Sequence, residues 1–215
     1  MSEPRPGPPR PPAGTASQAT WILGVVVICV LAYITLNTLR TESPGSRGVQ
    51  PGTQIPPFAA PLALANAKCG GEECDVNVLI KGREGVPKAC DARGPDIINS
   101  CDLVKKGPLV LAFLAAPSKR CIDQVDLLDS LQERYPRVQF AAVGIRGDHD
   151  KLNGIIRERG WTLPVAYDND GALANAFGVA ICPTITFVRR GGEADKTTYG
   201  VAGEAEIVRE LERLR

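Results

Sequence analysis

Residues 107–121 read GPLVLAFLAAPSKRC, and this stretch determines the predicted fold. Leu109 to Leu114 form a continuous apolar run, as expected of a strand that is covered on both faces of its sheet. The chain then turns, and apolar residues recur at helical spacing from Cys121 onward. The residues of this apolar stripe are Cys121, Ile122, Val125, Leu128 and Leu131. A buried strand that leads directly into an amphipathic helix predicts a β-α-β unit.

The rest of the C-terminal part continues the alternation of strand and helix. Strands are predicted at residues 138–145, 184–188 and 197–199, a hairpin turn at Gly191-Gly192, and helices at residues 148–159 and 207–214. A β-α-β half followed by a hairpin and a terminal helix predicts an α/β fold, with a mixed central sheet and helices on both faces.

The composition excludes several classes of protein. Of the 215 residues, 44% are hydrophobic and 23% are charged, which are values typical of globular proteins. The formal net charge of +1 gives no electrostatic reason to expect a nucleic-acid partner. The chain contains no GxGxxG, Walker or CxxCH motif, so we expect no organic cofactor. With a single histidine and seven cysteines, thiol chemistry is the first possibility to consider.

The N-terminal third has a different character. Residues 1–20 are rich in proline and predict a disordered tail. Residues 21–39 contain no Asp, Glu, Lys, Arg or His and are long enough to cross the ~30 Å core of a bilayer. No small-x-small cleavage site follows them, which favours an uncleaved transmembrane signal anchor over a cleaved signal peptide. Cys29 lies inside this segment and is given no catalytic part.

The remaining organisation follows from charge and cysteine usage. Residues 40–54 predict a polar linker, and residues 55–215 predict the globular domain. The arginines on the two sides of the apolar segment are balanced, so charge alone does not orient it. Cysteines outside the membrane favour an oxidising compartment. We therefore expect a single-pass cell-membrane protein whose C-terminal domain is extracytoplasmic.

An ordered series of motifs resembles the TlpA/redoxin type of thioredoxin-fold protein. The matching segments are Pro56-Pro57-Phe58, GPLVLAFLAAPSKRC (107–121), FAAVGIRGD (140–148), Leu163-Pro164-Val165, DNDGALANAFGV (168–179), CPTITF (182–187) and the Gly191-Gly192 turn. The resemblance implies a three-layer thioredoxin-like fold over residues 55–215, interrupted by a cysteine-containing insertion at 66–105. It also implies that the substrates are protein thiols and disulfides, or peroxide.

The resemblance assigns roles to residues near the helix start, with one departure. Pro183 matches the family's cis-proline, and Pro183 with Thr184 would form the ledge that binds substrate. Related oxidoreductases carry CxxC at the helix start, whereas this chain has Ser118 and Cys121 at the two cysteine positions. A serine hydroxyl is not a thiolate at neutral pH and cannot open a disulfide. We therefore assign Ser118 a polar and non-nucleophilic role.

Three functions remain open for this site. In the favoured one, Cys121 and Cys182 form a non-standard pair that serves as a redox couple or as a static crosslink. In the second, Ser118 and Cys121 act like the TxxC of peroxiredoxins, and Cys121 passes through a sulfenic acid. In the third, Cys121 is simply buried in the core and the domain is a redox-silent binding module.

Other cysteines and acidic clusters are given structural roles. We expect Cys69–Cys74 and Cys90–Cys101 disulfides in the insertion, in preference to a zinc site, because CGGEEC departs from the usual ligand spacing. The sequence Asp148-His149-Asp150 is interpreted as a helix start and the sequence Asp168-Asn169-Asp170-Gly171 as a turn, so no metal site is predicted.

Overall fold

The computed structural model describes residues 20–35, 47–64, 88–145 and 147–214, and the backbone of residues 15–19, 36–40, 68–69, 72–73 and 78–79. The helices are α1 (Thr15–Arg40), α2 (Ser100–Lys106), α3 (Lys119–Leu131), α4 (His149–Arg159), α5 (Ala172–Ala176) and α6 (Glu204–Arg213), with a 3-10 turn at Ala89–Asp91. The strands are β1 (Phe58–Pro61), β2 (Lys68–Cys69), β3 (Glu72–Glu73), β4 (Val78–Leu79), β5 (Ile97–Asn99), β6 (Leu109–Leu114), β7 (Gln139–Ile145), β8 (Val165–Asp168), β9 (Thr184–Val188) and β10 (Ala194–Tyr199).

The first compact unit, Met1–Glu42, contains α1. Its side chains from Thr20 to Thr35 are exposed, and Cys29 among them is a free thiol. Within the part of the chain that the structure describes, no helix combines the length and the apolar content that a membrane crossing needs. The predicted transmembrane segment at residues 21–39 is therefore not confirmed. Residues 1–14 of the predicted tail (1–20) lie outside the described residues. From Thr15 onward the chain is helical.

The second unit, Ser43–Arg215, is built around a five-stranded mixed sheet in the order β10-β9-β6-β7-β8. Strands β6, β7 and β8 are parallel, whereas β9 is antiparallel to both β6 and β10. All six residues of β6 are buried, which confirms the prediction from its continuous apolar run. The α/β class and the mixed sheet predicted from the sequence are confirmed.

Apolar layers cover both faces of this sheet. Alternate residues of β6 point to opposite faces, so Val110 and Leu114 join one cluster while Leu109 and Phe113 join the other. The first cluster contains residues of α3, α4 and α6. The second contains residues of α2, α5 and the small sheet of order β4-β1-β5. Helices therefore pack on both faces, as predicted.

Residues near two of the predicted boundaries contribute to the folded domain. In the described part of the predicted linker (40–54), Val49 is buried in the core and its carbonyl accepts a hydrogen bond from Thr197 at 2.9 Å. The predicted insertion at 66–105 also contributes to the core, because the Ser100 hydroxyl bonds both backbone groups of Phe58 in β1. Apolar burial and backbone pairing, rather than polar composition, decide where the domain begins.

One of the two predicted disulfides in the insertion is present. Cys90 and Cys101 are bonded, with their Cα atoms 5.5 Å apart, and the bond joins the 3-10 turn to α2. Cys74 and the side chain of Cys69 lie outside the described residues, so their predicted pairing stays a prediction. In the chain-entropy model, a loop of this length contributes about 3 kcal/mol to the free energy of unfolding.

Replacing Gly107 by alanine is expected to lower the free energy of unfolding by about 1–3 kcal/mol, because its Cβ has no space. An ideal Cβ at Gly107 would lie 2.2 Å from the backbone oxygen of Arg137. Urea titration measures the change. The matched control is Gly154→Ala in α4, where a Cβ meets nothing within 4 Å. That variant should gain about 0.5–1 kcal/mol in stability, and equal effects of the two substitutions would contradict this packing.

Candidate active site

The pairing of β6 with β9 brings two cysteines to one edge of the sheet. Phe113 near the end of β6 is paired with Thr184 at the start of β9, so the residues after β6 lie beside the residues before β9. Cys121 lies in the first turn of α3, which follows β6, and Cys182 lies just before β9. Their sulfurs form a disulfide with an S–S distance of 2.02 Å and Cα atoms 5.8 Å apart. The roles predicted for both residues stay predictions.

The two sulfurs have different surroundings. The Cys121 residue is 0% exposed and belongs to the apolar cluster under α3. Cys182 is only partly buried and packs against the edge of the same cluster. Its sulfur also accepts a hydrogen bond from the backbone N–H of Ala115, at 3.1 Å. Of the two bonded residues, Cys182 is therefore the more exposed to solvent.

Ser118 is the N-cap residue of α3 and takes no part in the disulfide. Its hydroxyl makes no capping hydrogen bond with the helix. Its backbone carbonyl accepts hydrogen bonds from the N–H groups of Cys121 and Ile122, at 3.0 and 3.1 Å. Ser118 thus begins α3 through its backbone. Its predicted non-nucleophilic role stays a prediction.

Charged residues surround the start of α3, and most of their charge is paired. The Lys119 ammonium lies 2.5 Å from the Asp123 carboxylate in the next turn. Arg120 is exposed and makes no ion pair with any residue of the described ranges. Arg120 is therefore the cation of this turn that remains available to an anionic substrate group or a thiolate at the rim.

The peptide bond between Cys182 and Pro183 is cis, as predicted from the resemblance. Hydrogen bonds hold the segment that was predicted as the substrate ledge. Thr184 is 0% exposed, and its hydroxyl donates to the carbonyl of Ile181 at 2.7 Å. The Pro183 carbonyl accepts from the N–H of Gly200 at 2.8 Å. The side chain of Thr184 thus fixes the loop, and the predicted contact of Pro183 and Thr184 with substrate stays a prediction.

Sequence reasoning missed the residues that hold this edge together. Gln124 is buried one turn after Cys121, and its side-chain amide makes two hydrogen bonds with the backbone of Ala202, at 2.8 and 3.2 Å. The loop that carries Gly200 and Ala202 therefore contacts both α3 and the cis-proline segment. The only sequence signal was a polar residue close to the apolar stripe of a predicted helix.

Two exposed apolar residues also escaped the sequence-based prediction. Ile181, beside Cys182, is 51% exposed, and Val201, beside Gly200, is 63% exposed. The bond from Gly200 to Pro183 keeps the two loops adjacent. Large apolar side chains are usually buried, so their exposure at the rim of a disulfide marks a surface suited to contact with another molecule.

The acidic clusters have structural partners in the folded domain. The Asp148 carboxylate caps α4 by accepting from the N–H groups of Asp150 and Lys151, as predicted. The His149 ring stacks on Tyr167, and its Nε2 lies 2.7 Å from the carbonyl of Ala63. Among the described residues, no group of three or more His, Cys, Asp or Glu side chains has a geometry that could hold a metal ion.

Asp168 is a buried carboxylate at the end of β8, on the same edge of the sheet as the disulfide. Burial raises the pKa of the Asp168 carboxyl above its ordinary value of 3.8. The backbone N–H groups of Leu173 and Ala174 donate to this carboxylate at 3.1 and 2.8 Å and partly oppose the rise of its pKa. Asp168 and its hydrogen bonds anchor α5, which agrees with the interpretation of this segment as a turn.

Comparison with known proteins gives structural neighbours and no sequence relatives. No protein-family model matches the chain, and no curated protein matches it. A putative thiol:disulfide interchange protein DsbE from Chlorobium tepidum matches with a TM-score of 0.56 and 17% identity, over 76% of this chain and 99% of the other. The peroxidoxin BcpB from Mycobacterium tuberculosis matches with a TM-score of 0.54 and 18% identity, over 78% and 97%. The chain has the thioredoxin fold.

A third neighbour supports the same conclusion. A thiol:disulfide interchange protein of the thioredoxin family from Chlorobium tepidum TLS has a TM-score of 0.56 and 14% identity, over 77% of this chain and 97% of the other. At these identities the likeness concerns the thioredoxin fold alone. What the chain does must be argued from its own residues.

Asp168→Asn is expected to flatten the dependence of stability on pH. Between the ordinary pKa and the raised pKa, the folded chain holds a proton on Asp168 that the unfolded chain lacks. The free energy of unfolding of the natural chain therefore falls as pH rises through this window, by at most about 1.4 kcal/mol per pH unit from this group. Urea titrations at a series of pH values measure the slope. Asp150→Asn, at an exposed carboxylate, should leave the slope unchanged, and the same slope in all three proteins would contradict the assignment.

Proposed function

We propose that this protein is a thiol–disulfide oxidoreductase whose redox couple is Cys121 with Cys182. The observation that carries the proposal is the disulfide between these residues at the rim of the thioredoxin-fold domain. It replaces the couple that a CxxC motif would form, because Ser118 occupies the first cysteine position. The substrates are protein dithiols or disulfides, which matches the chemistry in the names of the DsbE-like neighbour and of the thioredoxin-family neighbour.

We assign the order of reaction of the two cysteines from the exposure of the two residues. A substrate thiolate attacks the sulfur of Cys182, which belongs to the more exposed residue. The bond between the two cysteines breaks, a bond between substrate and Cys182 forms, and Cys121 departs with the electron pair as a thiolate. The second thiolate of the substrate then attacks its own sulfur in the mixed disulfide. The substrate leaves oxidised, and both cysteines are left reduced.

The surroundings of Cys182 support this order. When the mixed disulfide breaks, Cys182 becomes a thiolate beside the N–H of Ala115, which lies 3.1 Å from its sulfur in the oxidised protein. A hydrogen bond to an anionic acceptor is stronger than one to a neutral acceptor, so Ala115 favours release of this thiolate. In the reverse direction the same thiolate attacks a substrate disulfide, and Cys121 resolves the product.

The order predicts different behaviour of two serine variants made in a Cys29→Ala background. Cys121→Ser should accumulate mixed disulfides with a cysteine peptide at Cys182, because no resolving thiol remains. Cys182→Ser should react at least about tenfold more slowly, because its remaining thiol is buried and needs local opening of the domain. Mass spectrometry under non-reducing conditions counts the adducts.

The outcomes separate the order from the function itself. Faster trapping in Cys182→Ser would show that substrate attacks Cys121 first, and it would leave the proposal of a Cys121–Cys182 redox couple intact. If the Cys121–Cys182 bond of the natural chain is neither reduced by dithiothreitol nor reformed by a protein disulfide, the redox function is wrong. The bond is then a static crosslink in a binding module.

Thiol peroxidase activity is the second candidate, supported by the likeness to the peroxidoxin BcpB. In that reaction peroxide converts one thiolate to a sulfenic acid and releases hydroxide. The second cysteine then displaces the sulfenic oxygen as water and reforms the disulfide. The burial of Cys121 disfavours a peroxidase that reacts first at this residue, since peroxide must reach a thiolate. Sulfenic-acid trapping on the reduced single-cysteine variants distinguishes the two.

We place the domain outside the cytoplasm, tethered to the cell membrane by α1. Disulfides such as Cys90–Cys101 persist in oxidising compartments. Residues 21–39 lack charged side chains, and the apolar side chains described in α1, from Trp21 to Ile34, are exposed. An exposed apolar helix is stable when lipid covers it.

Membrane fractionation tests the tether. The full chain is expected to stay in the membrane pellet after carbonate washing. The double substitution Val27→Arg and Leu31→Arg should release most of it, because each arginine near the centre of a span costs about 2.5–3.5 kcal/mol. Val201→Arg changes an exposed apolar residue of the domain and should leave the pellet unchanged. Release of the natural chain by carbonate would contradict the tether.

A further inference from the structure

A cavity of about 1100 Å³ lies at the edge of the sheet opposite the disulfide. Its walls are segments next to the starts of β6 and β7, the end of β9, and the end of α6. Because β6 and β9 are antiparallel, the residues before β6 lie beside those after β9. The cavity is therefore separate from the redox couple, and the proposed function does not use it.

Five of the described residues that line this cavity carry a cationic side chain. The cationic residues are Lys106, Arg137, Arg189, Arg190 and Arg213. None of the lining residues that the structure describes carries a carboxylate. The net charge of the whole chain is only +1, so the clustering of positive charges around this cavity does not follow from the overall composition.

Two of these arginines are held in place by acidic residues outside the lining. Arg189 pairs with Glu193 at 3.1 Å and also with the buried Asp195. Arg213 donates to Glu210 at 3.2 Å. These ion pairs neutralise part of the charge. They also fix the guanidinium groups at the wall, which lowers the entropy lost when a ligand binds.

The other three cations have their charge available. Lys106 and Arg137 are exposed and form no ion pair within the described ranges. Arg190 donates its Nε to the carbonyl of Lys105 at 3.2 Å, which leaves the two terminal nitrogens of its guanidinium group. The backbone under Lys106 and Arg137 is tightly packed, since the N–H of Gln139 donates to the carbonyl of Pro108 at 2.7 Å.

We propose that this cavity binds a small molecule that carries several phosphate groups. Guanidinium groups match the geometry of phosphate oxygens and can donate two parallel hydrogen bonds to them. The cations come from four separate segments around the cavity, so a ligand needs several anionic groups to engage them together. The volume suits a ligand of nucleotide size. A free polyphosphate and the phosphorylated headgroup of a lipid share this chemistry.

Titration of the detergent-solubilised full chain with sodium tripolyphosphate tests the proposal. Calorimetry should show saturable binding to the natural chain. The double variant Lys106→Ala and Arg137→Ala should bind about tenfold more weakly or worse, because it loses two unpaired cations. The matched control is Lys151→Ala with Arg157→Ala, which removes the same charges from exposed positions on α4 and should bind like the natural chain.

Each outcome supports or overturns the site. No saturable binding, or equal weakening in the two double variants, overturns it. Orthophosphate that binds as tightly as tripolyphosphate overturns the requirement for several phosphate groups. Displacement of tripolyphosphate by a nucleoside triphosphate indicates a soluble ligand, and displacement by a phosphoinositide indicates a lipid headgroup. Displacement by neither overturns the match of the cavity to a phosphorylated ligand of nucleotide size.

Discussion

The antiparallel pairing of β6 with β9 is the constraint on which the site depends. It places the start of α3 against the loop before β9, two segments that are distant in sequence. Cys121 and Cys182 are separated by 61 positions, yet in this register their Cα atoms lie 5.8 Å apart, within bonding range. The same pairing gathers Lys106 and Arg190 at the opposite edge, so one strand pair organises both ends of the domain.

A second set of contacts keeps the geometry of the disulfide edge. Gly200 bonds the carbonyl of Pro183, and Ala202 bonds the amide of Gln124. One short loop therefore links the segment of Cys182 to the helix of Cys121. These hydrogen bonds do not include either sulfur, so they are able to hold the two cysteines in register after the bond between them is broken.

The parts of the structure that were predictable have a local cause. A continuous apolar run gives a strand buried on both faces, as in β6, and a side chain such as Asp148 caps the helix that it precedes. Contacts across the chain were not predictable. Val49 sits in a polar stretch that gave no sign of burial, and the partner of Gln124 lies 78 positions away. The burial of Thr184 likewise depends on distant segments, because β9 is covered on both faces of the sheet.

The disulfide of the site also closes a ring around the middle of the domain. Between Cys121 and Cys182 the chain contains β7, α4, β8 and α5. In the chain-entropy model, opening a ring of this length removes about 4 kcal/mol of stability from a folded domain. Reduction therefore loosens the molecule as well as changing its chemistry. We therefore expect proteases to cleave the reduced form faster than the oxidised form, which would tie the lifetime of the protein to its redox state.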